Sequence, residues 1–186
     1  NVHGNQTIIL LQNFNSTSSI GTIRDDVVLD CKGNMVNTSV KAISVNGERN
    51  NTIKSCLIRT SGTSSYGVEY LSSAMNNLIF NTTINTSGTS AYGVYFSSSH
   101  NNTLTNTTLN IPSANDTISS SASGNTLINT TFDRGNLSIS GSSTVYVKWY
   151  LLVNVTDQNG VPLANVSVNI TNNTNSLLIS NITDNF

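Results

Sequence analysis

Apolar residues recur along this chain in short alternating runs that return roughly every 25 residues, not at helical spacing. Asn51-Thr-Ile-Lys-Ser-Cys-Leu-Ile58 comes back as Asn77-Leu-Ile-Phe-Asn-Thr-Thr-Ile84, as Asn102-Thr-Leu-Thr-Asn-Thr-Thr-Leu109 and as Asn125-Thr-Leu-Ile-Asn-Thr-Thr-Phe132. The leading asparagines thus stand at near-constant steps that shorten slightly toward Asn125. A second motif, Ser61-Gly-Thr-Ser-Ser-Tyr-Gly-Val68, is echoed one period later as Ser87-Gly-Thr-Ser-Ala-Tyr-Gly-Val94. Such a period predicts a solenoid, in which each repeat buries its apolar face only by stacking on its neighbours.

Placing Asp26 one period ahead of Asn51 extends the repeat back by a coil and predicts the core columns. One column runs Val28, Ile53, Ile79, Leu104 and Leu127; a second runs Ile58, Ile84, Leu109 and Phe132. A third, on the other recurring strand, is Ile43, Val68, Val94 and Ile118, with Val45, Tyr70 and Phe96 two positions on and so on the same face. Thr, Ser, Asn, β-branched residues and recurring Gly all disfavour helix. Coils with two recurring strands and a short third must pair in parallel with the next coil. The expected fold is all-β, a right-handed parallel β-helix of about five coils over residues 1–144, the hand following the general crossover rule. Thr7-Ile-Ile-Leu-Leu11 reads as an N-terminal cap strand or an incomplete first coil.

From Val145 the pattern changes. Val145 to Val155 alternates as one long strand, Asp157-Gln-Asn-Gly160 supplies a hairpin turn, and Val161 to Ile170 returns. Residues 145–186 are therefore expected to form antiparallel, immunoglobulin-like strands of a separate module. That length falls short of the seven strands a sandwich needs, so either the module is incomplete or a neighbour supplies strands.

Composition changes the picture from fold to setting. Charged residues are 9% of the chain and the net charge is −1, which leaves no basic footprint for nucleic acid. No apolar run is long enough to span a membrane. The chain opens on Asn1 without an initiator Met, consistent with a processed chain or a fragment, so a missing leader says nothing of the cytoplasm. With 30 Asn, 28 Ser and 24 Thr, random placement would give roughly 8 Asn-x-Ser/Thr sequons. Sixteen are present. Covalent N-glycans are expected at Asn5, Asn15, Asn37, Asn50, Asn85, Asn101, Asn115, Asn136, Asn154, Asn165, Asn169, Asn172 and Asn181, on an extracellular, cell-surface chain. Asn81, Asn106 and Asn129 are less certain, because with Asp30 and Ser55 they form a polar column where a strand bend is expected. A buried asparagine ladder there, the preferred reading, would exclude a glycan. Cys31 and Cys56, one coil apart, are either a disulfide or two stacked buried thiols.

Asp26-Val-Val-Leu-Asp-Cys-Lys-Gly33, Val40-Lys-Ala-Ile-Ser-Val45 and Asn50-Asn-Thr-Ile-Lys-Ser-Cys-Leu-Ile58 resemble the opening coils of right-handed β-helix repeat proteins. These are abundant on archaeal cell surfaces and related to the pectate-lyase-like and periplasmic copper-maturation families. The resemblance covers roughly residues 20–140 and implies fold rather than activity, since the superfamily holds lyases, hydrolases, epimerases and inert surface proteins. The strand, Asp-x-x-Gly, Pro, strand pattern after Val145 is similar to the start of immunoglobulin-like surface repeats.

Candidate chemistry is sparse. The nine acids are Asp25, Asp26, Asp30, Glu48, Glu69, Asp116, Asp133, Asp157 and Asp184, and no two align on one face of successive coils. Asp25 and Asp26 read as solvated turn acids. Lys54, Arg59 and Glu69 read as a surface ion pair, and Tyr70 with Phe96 as core. His3 and His100 have no partner spaced for a metal. Outward Tyr95 is the one candidate for a sugar contact. The expectation is a non-enzymatic, cofactor-free, glycosylated structural protein of a surface layer, filament or adhesin, self-assembling into a homo-oligomer by strand addition at its C-terminal strands. The alternative is a polysaccharide-acting β-helix enzyme or a carbohydrate-binding module.

Overall fold

Three parallel sheets wind around one apolar column. In the computed structural model residues 5–183 are described, apart from 22, 112–116 and 121, and for 117–120 the backbone alone. The first sheet stacks Gln6–Ile9, Val27–Asp30, Thr52–Lys54, Leu78–Phe80, Thr103–Thr105, Asn125–Ile128 and Val145–Lys148. The second stacks Phe14–Ser16, Met35–Thr38, Leu57–Thr60, Thr83–Thr86 and Thr108–Asn110. The third stacks Ile43–Asn46, Tyr66–Leu71, Tyr92–Ser97, Thr117–Ser120 and Leu137–Ser140. Every pairing within these sheets is parallel. This is a β-solenoid of about five turns, nearly all-β, with one short 3-10 turn among the described residues, at Arg134–Asn136.

The inward columns follow from a side-chain period of two. Val36, Ile58, Ile84 and Leu109 stack in the second sheet; Val45, Tyr70 and Phe96 stack in the third, with the last two rings 5.6 Å apart. Two expected columns are corrected by one position. Leu29, not Val28, lies beside Ile53, and Val94 lies beside Thr117, not Ile118, whose side chain is outside the described residues. The steps from Leu29 to Ile53 and from Val94 to Thr117 are shorter than the usual period, and a slip of one position exchanges the two faces of a strand.

Two corners of each coil need a left-handed backbone. Asp26, Asn50, Asn76, Asn101 and Gly124 take positive φ at one corner; Ser55, Asn81, Asn106 and Asn129 take it at another. Asn tolerates this conformation better than other residues with a side chain, apart from Asp. The expected buried ladder at Asn81, Asn106 and Asn129 is therefore corrected. These side chains are exposed, and the residues after them, Thr82, Thr107 and Thr130, are the buried ones. The buried ladder is instead built by Asn51, Asn77, Asn102 and Asn125, each directly after the first corner. The Cys31–Cys56 pair is a disulfide with Cα atoms 4.8 Å apart.

Strand Val145–Lys148 was expected to open an antiparallel module but pairs in parallel with Asn125–Ile128 as the last rung of the first sheet. The division into two compact units accordingly falls after Trp149. In the second unit, Asp157 closes its turn by accepting hydrogen bonds from the amides of Asn159 at 2.8 Å and Val161 at 2.9 Å. Ser167–Thr171 pairs antiparallel with Leu177–Ile182. Among the described residues this is one strand pair and one bridged turn, fewer than a sandwich contains.

Candidate functional site

The outer face of the third sheet gathers the groups best suited to a ligand. Parallel stacking sets Tyr92 beside Tyr66 and Tyr95 beside Glu69, which itself lies beside Ser44. The three tyrosine rings form one cluster: Tyr66 to Tyr95 at 5.0 Å, Tyr66 to Tyr92 at 5.4 Å and Tyr92 to Tyr95 at 6.1 Å between centroids, all within 22° of parallel. Each is half-buried, so part of each ring meets solvent. The glycine after Tyr66 is required: a Cβ on Gly67 would lie 2.3 Å from the Ile84 side chain and 2.6 Å from the Gly93 carbonyl oxygen.

Beside this platform Glu69 is buried, 3% exposed, with its Oε1 accepting from the Ser44 hydroxyl at 2.7 Å and from the Lys41 ammonium. Lys41 is 44% exposed at its side chain and forms the solvent-facing side of this pair. Burial, with Tyr95, Tyr92 and Glu69 adding to it, pushes the Tyr66 phenol above its ordinary value, so it remains a hydrogen-bond donor through neutral and mildly basic pH. A cluster of stacked, partly exposed tyrosine rings beside a buried carboxylate can contact the apolar face of a sugar ring and hold or exchange a proton at its edge.

Sequence reasoning found Tyr95 but missed Tyr66 and Tyr92. Their signal was present in the repeated Ser-Tyr-Gly-Val and Ala-Tyr-Gly-Val motifs, but one ring alone does not make a platform. Lys54, Arg59 and Glu69 do not come together. Lys54 Nζ lies 3.5 Å from Asp30, and Glu69 takes Lys41 instead. Asp30 also holds Lys32 at 3.2 Å, and the Lys32 backbone amide keeps its carboxyl below the usual range. Asp25 and Asp26 accept from the Arg49 amide and the Asn50 side chain, serving their corner. His100 meets Ser123 at 3.0 Å. No group of three metal-ligating side chains occurs among the described residues. His3, Asp116 and Asp184 lie outside them.

Of the sequon asparagines, Asn5, Asn15, Asn50, Asn81, Asn101, Asn106, Asn129, Asn154, Asn165, Asn169, Asn172 and Asn181 are exposed. Asn37, Asn85 and Asn136 are half-buried, and Asn115 lies outside the described residues.

The fold is shared with a solved protein from Parabacteroides merdae described as a candidate glycosyl hydrolase, with a TM-score of 0.59 at 11% identity over 76% of this chain and 80% of that one. No family model and no curated protein matches the chain. The expectation of a non-enzymatic scaffold is corrected by this likeness: the same architecture, over most of both chains, carries a protein described as an enzyme. Glu69 stacks on no other carboxylate: Ser44 and Tyr95 flank it on the neighbouring rungs, and Lys41 pairs with it.

Proposed function

We propose that this protein acts on polysaccharide outside the cell, binding glycan on the Tyr66, Tyr92 and Tyr95 platform and using Glu69 as the proton-exchanging group. The observation that carries the reading is the three-ring stack set against a buried carboxylate on one sheet face. Tyrosine contributes contact area at low entropic cost and keeps a hydroxyl for hydrogen bonding. Lys41 sits on a long flexible stem and moves aside when a sugar hydroxyl replaces its contact with Glu69. The likeness to a candidate glycosyl hydrolase supports the same class of substrate.

The extracellular setting is supported by the Cys31–Cys56 disulfide and by the exposure of twelve sequon asparagines, which we assign as glycan carriers. Asn37 is left out of that set as half-buried, with its Nδ2 donating to Asn15 Oδ1 at 3.1 Å. Asn85 is left out as half-buried, with its Oδ1 accepting from Asn110.

Affinity electrophoresis through gels holding xylan, galactomannan or polygalacturonate, with release of reducing ends measured in parallel, tests the reading. Retardation by at least one polymer, lost in Tyr95→Ala, is expected. Glu69→Gln should still be retarded but release no reducing ends. Migration unaffected by every polymer, or a Tyr95→Ala variant retarded like the parent, overturns it. Retardation without any release by the parent chain would confine the protein to binding and remove the role given to Glu69.

A further inference from the structure

A second polar surface lies on the second sheet, away from the tyrosine platform. Its outward column reads Asn15, Asn37, Arg59, Asn85, Asn110 across five rungs, because Val36, Ile58, Ile84 and Leu109 take the inward positions. The asparagines pair in twos. Asn37 Nδ2 donates to Asn15 Oδ1 at 3.1 Å, and Asn110 Nδ2 donates to Asn85 Oδ1 at 2.9 Å. This leaves the Asn37 carbonyl and the Asn85 amide nitrogen on the two rungs flanking Arg59. A groove of about 340 Å³ opens over this column, with Ser61 and Ser87 along its side.

Arg59 is the charged centre of that groove. The ion pairs of the described residues are Arg24 with Glu48, Lys32 and Lys54 with Asp30, and Lys41 with Glu69, so no carboxylate among them pairs with Arg59. A guanidinium offers a planar fork that fits a carboxylate with two parallel hydrogen bonds. The amides and hydroxyls around it suit a ligand that brings several hydroxyl groups. One cation fits one anionic substituent; a polyphosphate would call for several.

We infer that the Arg59 groove is a second glycan subsite, selecting a saccharide that bears a single anionic substituent, carboxylate or sulfate, on the unit seated there. The inference rests on the proposed glycan reading for the class of ligand, but its charge preference belongs to Arg59 and not to the tyrosine platform. Both groups lie in parallel ladders whose rungs are about 4.8 Å apart, so the groove follows the direction in which the coils stack.

Titration calorimetry of the full chain with a galacturonate tetrasaccharide, its methyl ester and a sulfated galactan tetrasaccharide tests the inference. One acidic probe should bind at least about tenfold more tightly than the ester, and Arg59→Gln should remove that advantage. Which acidic probe shows it tells carboxylate from sulfate. Arg59→Lys should keep charge but recover only part of the gain, since an ammonium lacks the fork. Both variants should melt at the parental temperature, because the side chain is exposed. Tyr95→Ala should weaken acidic and esterified probes alike, so failure of the platform is seen separately from failure of the groove. Neither acidic probe binding the parent more tightly than the ester, an advantage unchanged in Arg59→Gln, or glycans on Asn37 or Asn85 in peptide maps of the native chain would each overturn it.

Discussion

The backbone amide of Asn77 donates to the side-chain Oδ1 of Asn102, one coil on, at 3.0 Å, and both residues are at most 1% exposed. The contact repeats along the solenoid: Val27 to Asn51 at 3.0 Å, Asn51 to Asn77 at 2.9 Å and Asn102 to Asn125 at 2.9 Å. Each side chain satisfies an amide that the corner has taken out of the strand ladder. The Asn77 and Asn102 amide nitrogens then donate onward to Asn102 and Asn125.

Replacing Asn77 by Ala leaves the buried Asn51 amide without its acceptor and should cost about 1–3 kcal/mol in denaturant unfolding. Asn106→Gly, at the exposed left-handed corner, should be close to neutral, while Asn106→Ala should cost about 1–2 kcal/mol from backbone strain alone. Equal costs for Asn77→Gly and Asn106→Gly would contradict the division of roles between the two asparagine columns.

Reducing the Cys31–Cys56 bridge releases a loop that spans 25 residues in sequence. The loss in stability should be roughly 3 kcal/mol, read as a lower melting temperature in reductant and reproduced by the Cys31→Ala, Cys56→Ala double variant.

Gly88 stacks on Gly62 so closely that a Cβ on it would lie 1.9 Å from the Gly62 carbonyl oxygen and 2.6 Å from its carbon. Gly88→Ala must push two turns apart and should destabilise by about 1–3 kcal/mol. Thermal melting checks this; Gly141→Ala, with open space around it, would show only the strain of its positive φ.

Asp30 is held below its ordinary value of 3.8 by the Lys32 amide, with the Lys32 and Lys54 charges helping. A carboxyl with a depressed folded value binds its proton more readily when unfolded. Its contribution is therefore present above 3.8 and lost as pH falls through the lower folded value. Asp157, held down by the Val161 and Asn159 amides, follows the same sign. Stability measured between pH 5 and 2 should fall less steeply in Asp30→Asn than in the parent chain.

The repeat, its strand character and most inward columns were legible because each coil spells the same alternation, and only one face of a parallel sheet can take Val, Ile and Leu at every rung. Tyr70 and Phe96 were placed in the core by parity alone. The ladder was misplaced because Asn serves two purposes here. At Asn81, Asn106 and Asn129 it tolerates a left-handed backbone, and at Asn77, Asn102 and Asn125 its side chain replaces a backbone acceptor. Composition does not separate those uses; the corner geometry does.

The sequence by itself determined that coils of near-constant length stack, that Cys31 and Cys56 are neighbours, and that Tyr95 points outward. Tertiary structure alone decided the register shifts at Leu29 and Thr117, since the shortened coils hide their missing positions in loops. It also decided that Val145–Lys148 closes the solenoid, because an alternating strand suits either a parallel rung or a hairpin. The candidate site belongs to the same class. Tyr66, Tyr92 and Tyr95 become one surface, and Lys41 meets Glu69 across 28 residues of chain, only when successive coils bring their strands to within a rung of each other.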